Sequence, residues 1–463
     1  MKTLSLHQDT IAAVATAPGI GGVAIIRISG PLASAISMKI CQTPLKPRYA
    51  TFVPFLNTEG ELLDRGVALY FPGPNSFTGE DVVELQGHGG PVVVDLLLNT
   101  VLEQGARMAH PGEFSERAFL NDKIDLIQAE AIADLINSQS IQAARAAVRS
   151  LEGDFSSQIT TLVTDIIYAR MYVEASIDFP EEEIDFLSDG KVLNLIDALL
   201  AQLAVINASA HQGVLLQEGI TLVIAGRPNA GKSSLLNALS GKDSAIVTSI
   251  AGTTRDIIKE HIQLDGLALQ LIDTAGLRDS SDPIEQEGIR RAKNAISTAD
   301  RLLLVIDATE TDACAIEIAW RAANALTTEA IPCTLILNKI DLLKPEALDL
   351  LRGQLQHLPN TTFIAISALT GQGFEILRQH LKSSASFTPQ STGCFSARRR
   401  HLNALARAKS AIEASREQLV IAQAGELVAE ELMQAQHALN EITGAFSSDD
   451  LLGEIFSSFC IGK

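Results

Sequence analysis

The chain has 463 residues, 46% of them apolar, and a formal net charge of −19 at pH 7. That length exceeds one ordinary core and predicts two to four domains. The acidity excludes a general binder of phosphate backbones, whose affinity comes from clustered Lys and Arg, so any RNA contact must be local or made through a partner.

The five cysteines, Cys41, Cys314, Cys333, Cys394 and Cys460, form no C-x-x-C pair and no zinc spacing, which fits a reducing cytoplasmic location. The N-terminus carries one lysine, an early Asp9 and no unbroken apolar core, so no signal peptide is expected. No apolar run reaches the roughly 18 residues of a membrane span.

Residues 1–120 read as a mixed α/β domain. Strands are predicted at Thr10–Thr16, Gly22–Ser29, Gly66–Phe71 and Asp81–Gln86, and a helix at Pro91–Leu102. Arg27 interrupts Val-Ala-Ile-Ile-Arg-Ile, and Glu84 interrupts Val-Val-Glu-Leu. Each charge either faces solvent or a partner, or lines a pocket, since a buried charge needs a partner. His88, in Gln-Gly-His-Gly-Gly-Pro, reads as structural because no second metal ligand lies near it. From residue 121 to 215 the period is helical. Leu126, Ala129, Ala133 and Ile136 share one face, and Val192, Ile196, Leu199, Leu203 and Ile206 share another. Between these stripes, Phe179-Pro-Glu-Glu-Glu183 reads as a solvated acidic break.

Residues 216–383 carry the strongest signal. Gly226-Arg-Pro-Asn229-Ala230-Gly231-Lys232-Ser233-Ser234 fits G-x-x-x-x-G-K-[ST], with an apolar strand before it and a helix after it. Glycines let backbone N–H groups wrap a phosphate, and the helix N-terminus adds positive potential. Lys232 would reach the β/γ-phosphates and the Ser233 hydroxyl would meet Mg²⁺. Leu269-Gln-Leu-Ile-Asp273-Thr274-Ala275-Gly276 is a strand ending in an acid and a Gly turn, suited to the magnesium shell and the γ-phosphate. Thr334-Leu-Ile-Leu-Asn338-Lys339-Ile-Asp341 ends in N-K-x-D. A buried carboxylate at Asp341 would accept from guanine N1–H and the 2-amino group, which adenine cannot match. Asn338 would brace the loop, Lys339 would lie over the base, and Ser367-Ala368-Leu369 would border it. Together, in this order, these pieces predict a guanine-nucleotide domain with a doubly wound sheet.

Ser384–Phe395 is a linker with no periodicity, and helical stripes resume over residues 384–463. Leu402, Leu405, Ala408 and Ile412 form one; Val428, Leu432, Ala435, Leu439 and Ile442 form the other. Arg398-Arg-Arg400 reads as a solvated helix start. Each helical flank alone would leave an apolar face uncovered. The economical expectation is therefore one helical domain with the nucleotide domain inserted.

Leu277 follows the Asp273–Gly276 turn, and an apolar side chain there cannot orient an attacking water, so hydrolysis needs another source. The switch loop Thr248-Ser249-Ile250-Ala251-Gly252-Thr253-Thr254 is rich in small residues with free carbonyls. With Asn229 it could ring a monovalent cation beside the phosphates, and Thr254 would meet magnesium. Glu285 is the second candidate, either a water-positioning acid or an ordinary first-turn helix acid beside Pro283.

Beyond the nucleotide motifs, the chain carries Gly-Gly-Val-Ala-Ile-Ile-Arg27-Ile-Ser-Gly and Phe77-Thr-Gly-Glu-Asp-Val-Val-Glu84-Leu-Gln-Gly-His-Gly-Gly. It also carries Pro111-Gly-Glu-Phe-Ser-Glu-Arg-Ala-Phe-Leu-Asn-Asp-Lys123, Gly252-Thr-Thr-Arg-Asp256 and a terminal Cys460-Ile-Gly-Lys463. In these marks it resembles, along essentially its whole length, the tRNA-modification GTPase family called MnmE or TrmE. The resemblance implies an α/β multidomain protein: an N-terminal α+β folate-binding-like and dimerising domain, a central helical domain and an inserted Ras-like P-loop GTPase domain. It implies formyl- or methylene-tetrahydrofolate on Arg27, Glu84, Lys123 and Lys463. Potassium is implied on Asn229, Thr248, Ile250 and Thr253, and magnesium on Ser233 and Thr254. Glu285, with Asn229 and Lys232, would serve hydrolysis. Cys460 is open between a catalytic thiol and a packed one. The implied role is modification of wobble-uridine C5 in certain tRNAs, as a homodimer with an FAD- and NADH-using partner of the MnmG (GidA) type. The competing class is a folate-sensing or RNA-scaffolding switch, whose usual basic appendage is missing from this acidic tail.

Overall fold

The computed structural model describes all residues except 1–8, 139, 179–189, 228, 241–258, 265–266, 274–298, 310–311, 325–330, 356, 360, 385–392, 423, 446–448, 458, 460–461 and 463. They fall into two compact units. One comprises Met1–Ile136, Ser150–Leu203 and Ala404–Lys463; the other comprises Asn137–Arg149 and Ala204–Asn403.

The first unit holds a six-stranded sheet in the order β3-β4-β5-β2-β1-β6. Its strands are β1 (Ile11–Val14), β2 (Gly21–Ser29), β3 (Thr51–Leu56), β4 (Leu62–Phe71), β5 (Val82–Gly89) and β6 (Arg107–Met108). All pairings are antiparallel except β1 with β6. Ile26, Ile28, Ala68, Val83 and Leu85 build the core with helices Ala33–Cys41 and Pro91–Glu103. Strand alternation therefore turns Arg27 and Glu84 to the opposite face.

The same unit contains the long helix Asp154–Asp178, which buries Phe155, Ile159, Leu162, Ile166, Ala169 and Val173 at helical spacing. It packs against Gly425–Thr443, whose predicted stripe from Val428 to Ile442 is fully buried. The helix Leu126–Asn137 departs from its predicted face. Leu126, Ala129 and Ala133 are buried, whereas Ile136 stands 43% exposed and Glu130 and Asp134 turn inward. The C-terminal helix Asp449–Ser457 closes onto the N-terminal segment. Phe456 meets Phe119 at 6.3 Å, and a Cβ at Gly112 would come within 2.5 Å of the Phe456 carbonyl oxygen. Gly462 lies so close to Val14 that a Cβ there would meet its carbonyl oxygen at 2.3 Å.

The second unit holds the other six-stranded sheet, ordered β12-β11-β10-β7-β9-β8. Its strands are β7 (Ile220–Ala225), β8 (Lys259–Leu264), β9 (Leu267–Asp273), β10 (Arg301–Asp307), β11 (Cys333–Asn338) and β12 (Thr361–Ala365). All pairings are parallel except β8 with β9. β7, β10 and β11 are nearly continuous apolar runs because both sheet faces are covered, as a doubly wound fold requires.

Lys191–Glu218 alone among the described helices is long and apolar enough to cross a membrane. Its residues Val192, Ile196, Leu199, Leu203 and Ile206 form the predicted buried stripe, the pattern of a helix that packs one face against a core.

Candidate functional site

Phosphate-loop geometry starts at the end of β7. Gly226 has φ 150 and a Cβ there would meet the Val305 carbonyl oxygen at 2.3 Å. Asn229 adopts the left-handed region with φ 65, which asparagine tolerates better than most residues. Gly231 follows at φ 94. The helix Lys232–Ser240 begins there, with Leu235 N–H bonded to the Gly231 carbonyl at 2.9 Å. Ser233 and Ser234 are exposed in its first turn, Ala230 is buried beneath them, and Lys232 Nζ donates to the carbonyls of Gly226 at 2.8 Å and Arg227 at 3.0 Å. Asp273 ends β9 in register with Ile224 of β7, which brings it beside this loop.

Asn338 joins the two ends of the site. Its side-chain amide donates to the Ala230 carbonyl at 2.9 Å, and its side-chain oxygen accepts from Ala368 N–H at 3.0 Å. The asparagine is buried, and a Cβ on Gly231 would sit 2.1 Å from its Nδ2. Ser367 is buried and its hydroxyl accepts from Thr370 N–H at 3.1 Å, shaping the turn that leaves Leu369 exposed. Lys339 has φ 65 and ion-pairs with Asp307. Asp341 lies exposed on the short turn Ile340–Leu342. The expectation of a buried carboxylate is thus corrected: in the protein alone Asp341 meets water. An unmade hydrogen bond there would cost affinity only once a ligand covers the acid. Thr248, Ser249, Ile250, Ala251, Gly252, Thr253, Thr254, Thr274, Ala275, Gly276 and Glu285 lie outside the described residues.

In the first unit Arg27 and Glu84 are cross-strand partners on β2 and β5. The guanidinium donates to Glu84 Oε1 at 3.0 and 3.1 Å, with side chains 22% and 15% exposed. Of the open readings, pairing is therefore realised, and the pair remains within reach of solvent. Phe77 and Phe114 each place a ring 5.8 Å from the Arg27 guanidinium. Lys123 stands at the end of the same loop system: a Cβ at Gly79 would come within 3.4 Å of its Cε. It also lines a cavity of about 520 Å³ with Phe119, Asp122, Asp125, Gln128 and Gly444. Lys463 and Cys460 lie outside the described residues. His88 is tied to Asp64 through both its backbone N–H and its ring Nδ1, at 2.7 Å each, a structural arrangement. Among the described residues no cluster of His, Cys, Asp or Glu could hold a metal.

Sequence reasoning missed what supports this loop. Arg117 is 1% exposed and ion-pairs with Asp9, Glu80 and Glu113. Glu80 in turn accepts from Ser29 Oγ at 2.7 Å, and Asn121 donates to the Thr78 carbonyl at 2.7 Å. Burial alone would raise the Glu113 carboxyl. Hydrogen bonds from Arg107, His110 N–H and Arg117 outweigh it and bring its pKa to about 2. The i, i+4 spacing of Glu113 and Arg117 was the available signal.

A family model described as the GTP-binding protein TrmE N-terminus matches residues 10–123, and one described as the MnmE helical domain matches residues 126–460. A tRNA modification GTPase MnmE of Pseudomonas fluorescens is 58% identical over 462 residues, covering 99% of this chain and 100% of the relative. The chain belongs to the MnmE family of tRNA modification GTPases. The MnmE of Vibrio cholerae is 57% identical over 459 residues, again 99% of this chain and 100% of its own. As in those MnmE proteins, the activity is that of a GTPase in tRNA modification. Among solved structures, Era of Aquifex aeolicus bound to GDP and tetrafluoroaluminate is 27% identical over 42% of this chain and 66% of its own. Its TM-score is 0.27.

Proposed function

We propose that this MnmE-family chain is a potassium-activated, cytoplasmic GTP hydrolase. Together with an FAD-dependent MnmG-type partner, it adds a carboxymethylaminomethyl-type group to C5 of the wobble uridine of certain tRNAs. The one-carbon unit comes from a tetrahydrofolate, and two copies of the chain act together, GTP hydrolysis driving their conformational cycle. The observation that carries the nucleotide half is the Asn338 bridge, which connects the phosphate loop to the Ser367-Ala368 loop and so frames one ligand from both ends.

The residues fit the implied groups where they are described. Ser233 presents an exposed hydroxyl at the helix start, suited to magnesium beside Asp273, and Thr254 would complete that shell. Asn229 is the potassium residue among the described ones; Thr248, Ile250 and Thr253 would supply the rest, and the ion would neutralise charge on the phosphates. Glu84 presents a carboxylate to a flat amide-and-amino edge, and Lys123 a cation to a carboxylate tail, which suits tetrahydrofolate. Arg27 holds the Glu84 carboxylate in place through two hydrogen bonds to one oxygen. Glu285 would orient the attacking water.

GTP turnover by the purified chain is expected to rise with potassium and fall when sodium replaces it; equal rates remove the cation mechanism. Mass spectrometry of wobble nucleosides from cells lacking the chain is expected to show the C5 group missing. Unchanged nucleosides overturn the tRNA assignment.

A further inference from the structure

β10 and β11 run parallel with Asp307 in register with Asn338, so the last residue of one strand lies beside the base loop of the other. Lys339 follows, and its ammonium lies 2.5 Å from Asp307 Oδ2, with the acid 11% and the lysine 35% exposed. The second oxygen of Asp307 accepts from the Thr309 N–H at 3.0 Å and the Thr309 hydroxyl at 2.6 Å. The next residue, Ala308, donates its N–H to the Asn338 carbonyl at 3.1 Å. The carboxylate is therefore fixed by its own turn as well as by the lysine. A lysine stem has many rotamers, and holding one of them over a flat ligand opposes binding unless another group already selects it.

We propose that Asp307 is a positioning residue for the nucleotide: it holds the Lys339 stem as a cover for one face of the purine. Recognition of the purine edge is left to Asp341. The inference rests on the reading that Lys339 lies over the base, and it adds a residue outside the N-K-x-D motif to the base site. A cover on the face does not sense substituents on the edge. Losing it therefore weakens guanosine, inosine and xanthosine nucleotides by the same factor.

The test uses the full chain and a fluorescent GDP analogue, with unlabelled nucleotides as competitors. Asp307→Asn is expected to weaken GDP about tenfold, the scale of one charge-assisted contact, with kcat at saturating GTP unchanged. Lys339→Met is expected to weaken it at least as much, and the double variant no further than Lys339→Met alone. The ratio of guanosine to inosine affinities stays as in the parent for Asp307→Asn. Thr309→Val, which removes one bond from the acid and keeps its charge, gives a smaller loss that also vanishes in the Lys339→Met background; it serves if Asp307→Asn does not fold. If Lys339→Met leaves affinity unchanged, the lysine reading itself fails and the inference with it. If Lys339→Met weakens binding but Asp307→Asn does not, or tightens it, the inference alone fails. Additive losses in the double variant, or an altered base ratio, also overturn it by assigning Asp307 to the turn or to the edge.

Discussion

Arg117 shows what a buried cation demands. It meets Asp9, Glu80 and Glu113, and these acids come from three separate stretches of chain. Replacing it with methionine would strand those carboxylates, yet the pH dependence of the parent protein is the gentler probe. Glu113 is held at about 2, below its ordinary value of 4.5. Its folded pKa is depressed, so its stabilisation is present above about 4.5 and is lost as pH falls toward about 2. Urea unfolding of the parent is expected to weaken across that window. Glu113→Gln should be less stable at neutral pH and lose less on acidification; parallel curves for the two would dismiss the linkage. At this scale the sequence marked Arg27 and Glu84 as charges among apolar neighbours. It could not name them as each other's partners, because they lie 57 residues apart and only strand register brings them together. The N-K-x-D spacing marked Asp341 as a candidate acid, but its exposure was not legible, since exposure depends on the turn that carries it.

Elements were legible where burial leaves little choice. β7 and β11 are covered on both faces and read as nearly continuous apolar runs. The strand Thr51–Leu56 was missed because Pro54 sits in it, and proline is tolerated there because β3 is an edge strand. Ile136 was misplaced because a short helix near a unit boundary need not keep its periodic face buried to the last turn. The phosphate loop makes a sharper demand. Gly231 combines φ 94 with a site where a Cβ would lie 2.1 Å from Asn338. Gly231→Ala is expected to lower GTP affinity about tenfold or more, from backbone strain plus displacement of the asparagine. A fluorescence titration that returns parental affinity would show that the loop relaxes around the methyl.

At the scale of the molecule, the chain leaves one compact unit twice, for residues 137–149 and again for 204–403, and returns each time. Helices Asp154–Asp178 and Gly425–Thr443 pack together although the entire nucleotide block separates them in sequence. The expected organisation was 1–120, 121–215, 216–383 and 384–463, with the last and second segments sharing a core. That expectation rested on the helical stripes, since neither flank could cover its own apolar face. Not legible was the seating of the C-terminal segment on the N-terminal one through Phe456 on Phe119 and Gly462 beside Val14, because contacts between distant segments leave no local pattern. Leu432 is fully buried in the returning helix. Leu432→Ala is expected to cost about 2–5 kcal/mol in chemical unfolding of the first unit; a cost below about 1 kcal/mol would mean the helix pair contributes little.

Asn338 has a mechanical consequence. One carboxamide bonds both the loop after the first strand of its sheet and the loop after the last, so neither loop can shift away from it without breaking one of those two bonds. A substitution at Asn338 therefore removes both bonds at once, whereas one at Asp341, exposed on its short turn, removes neither.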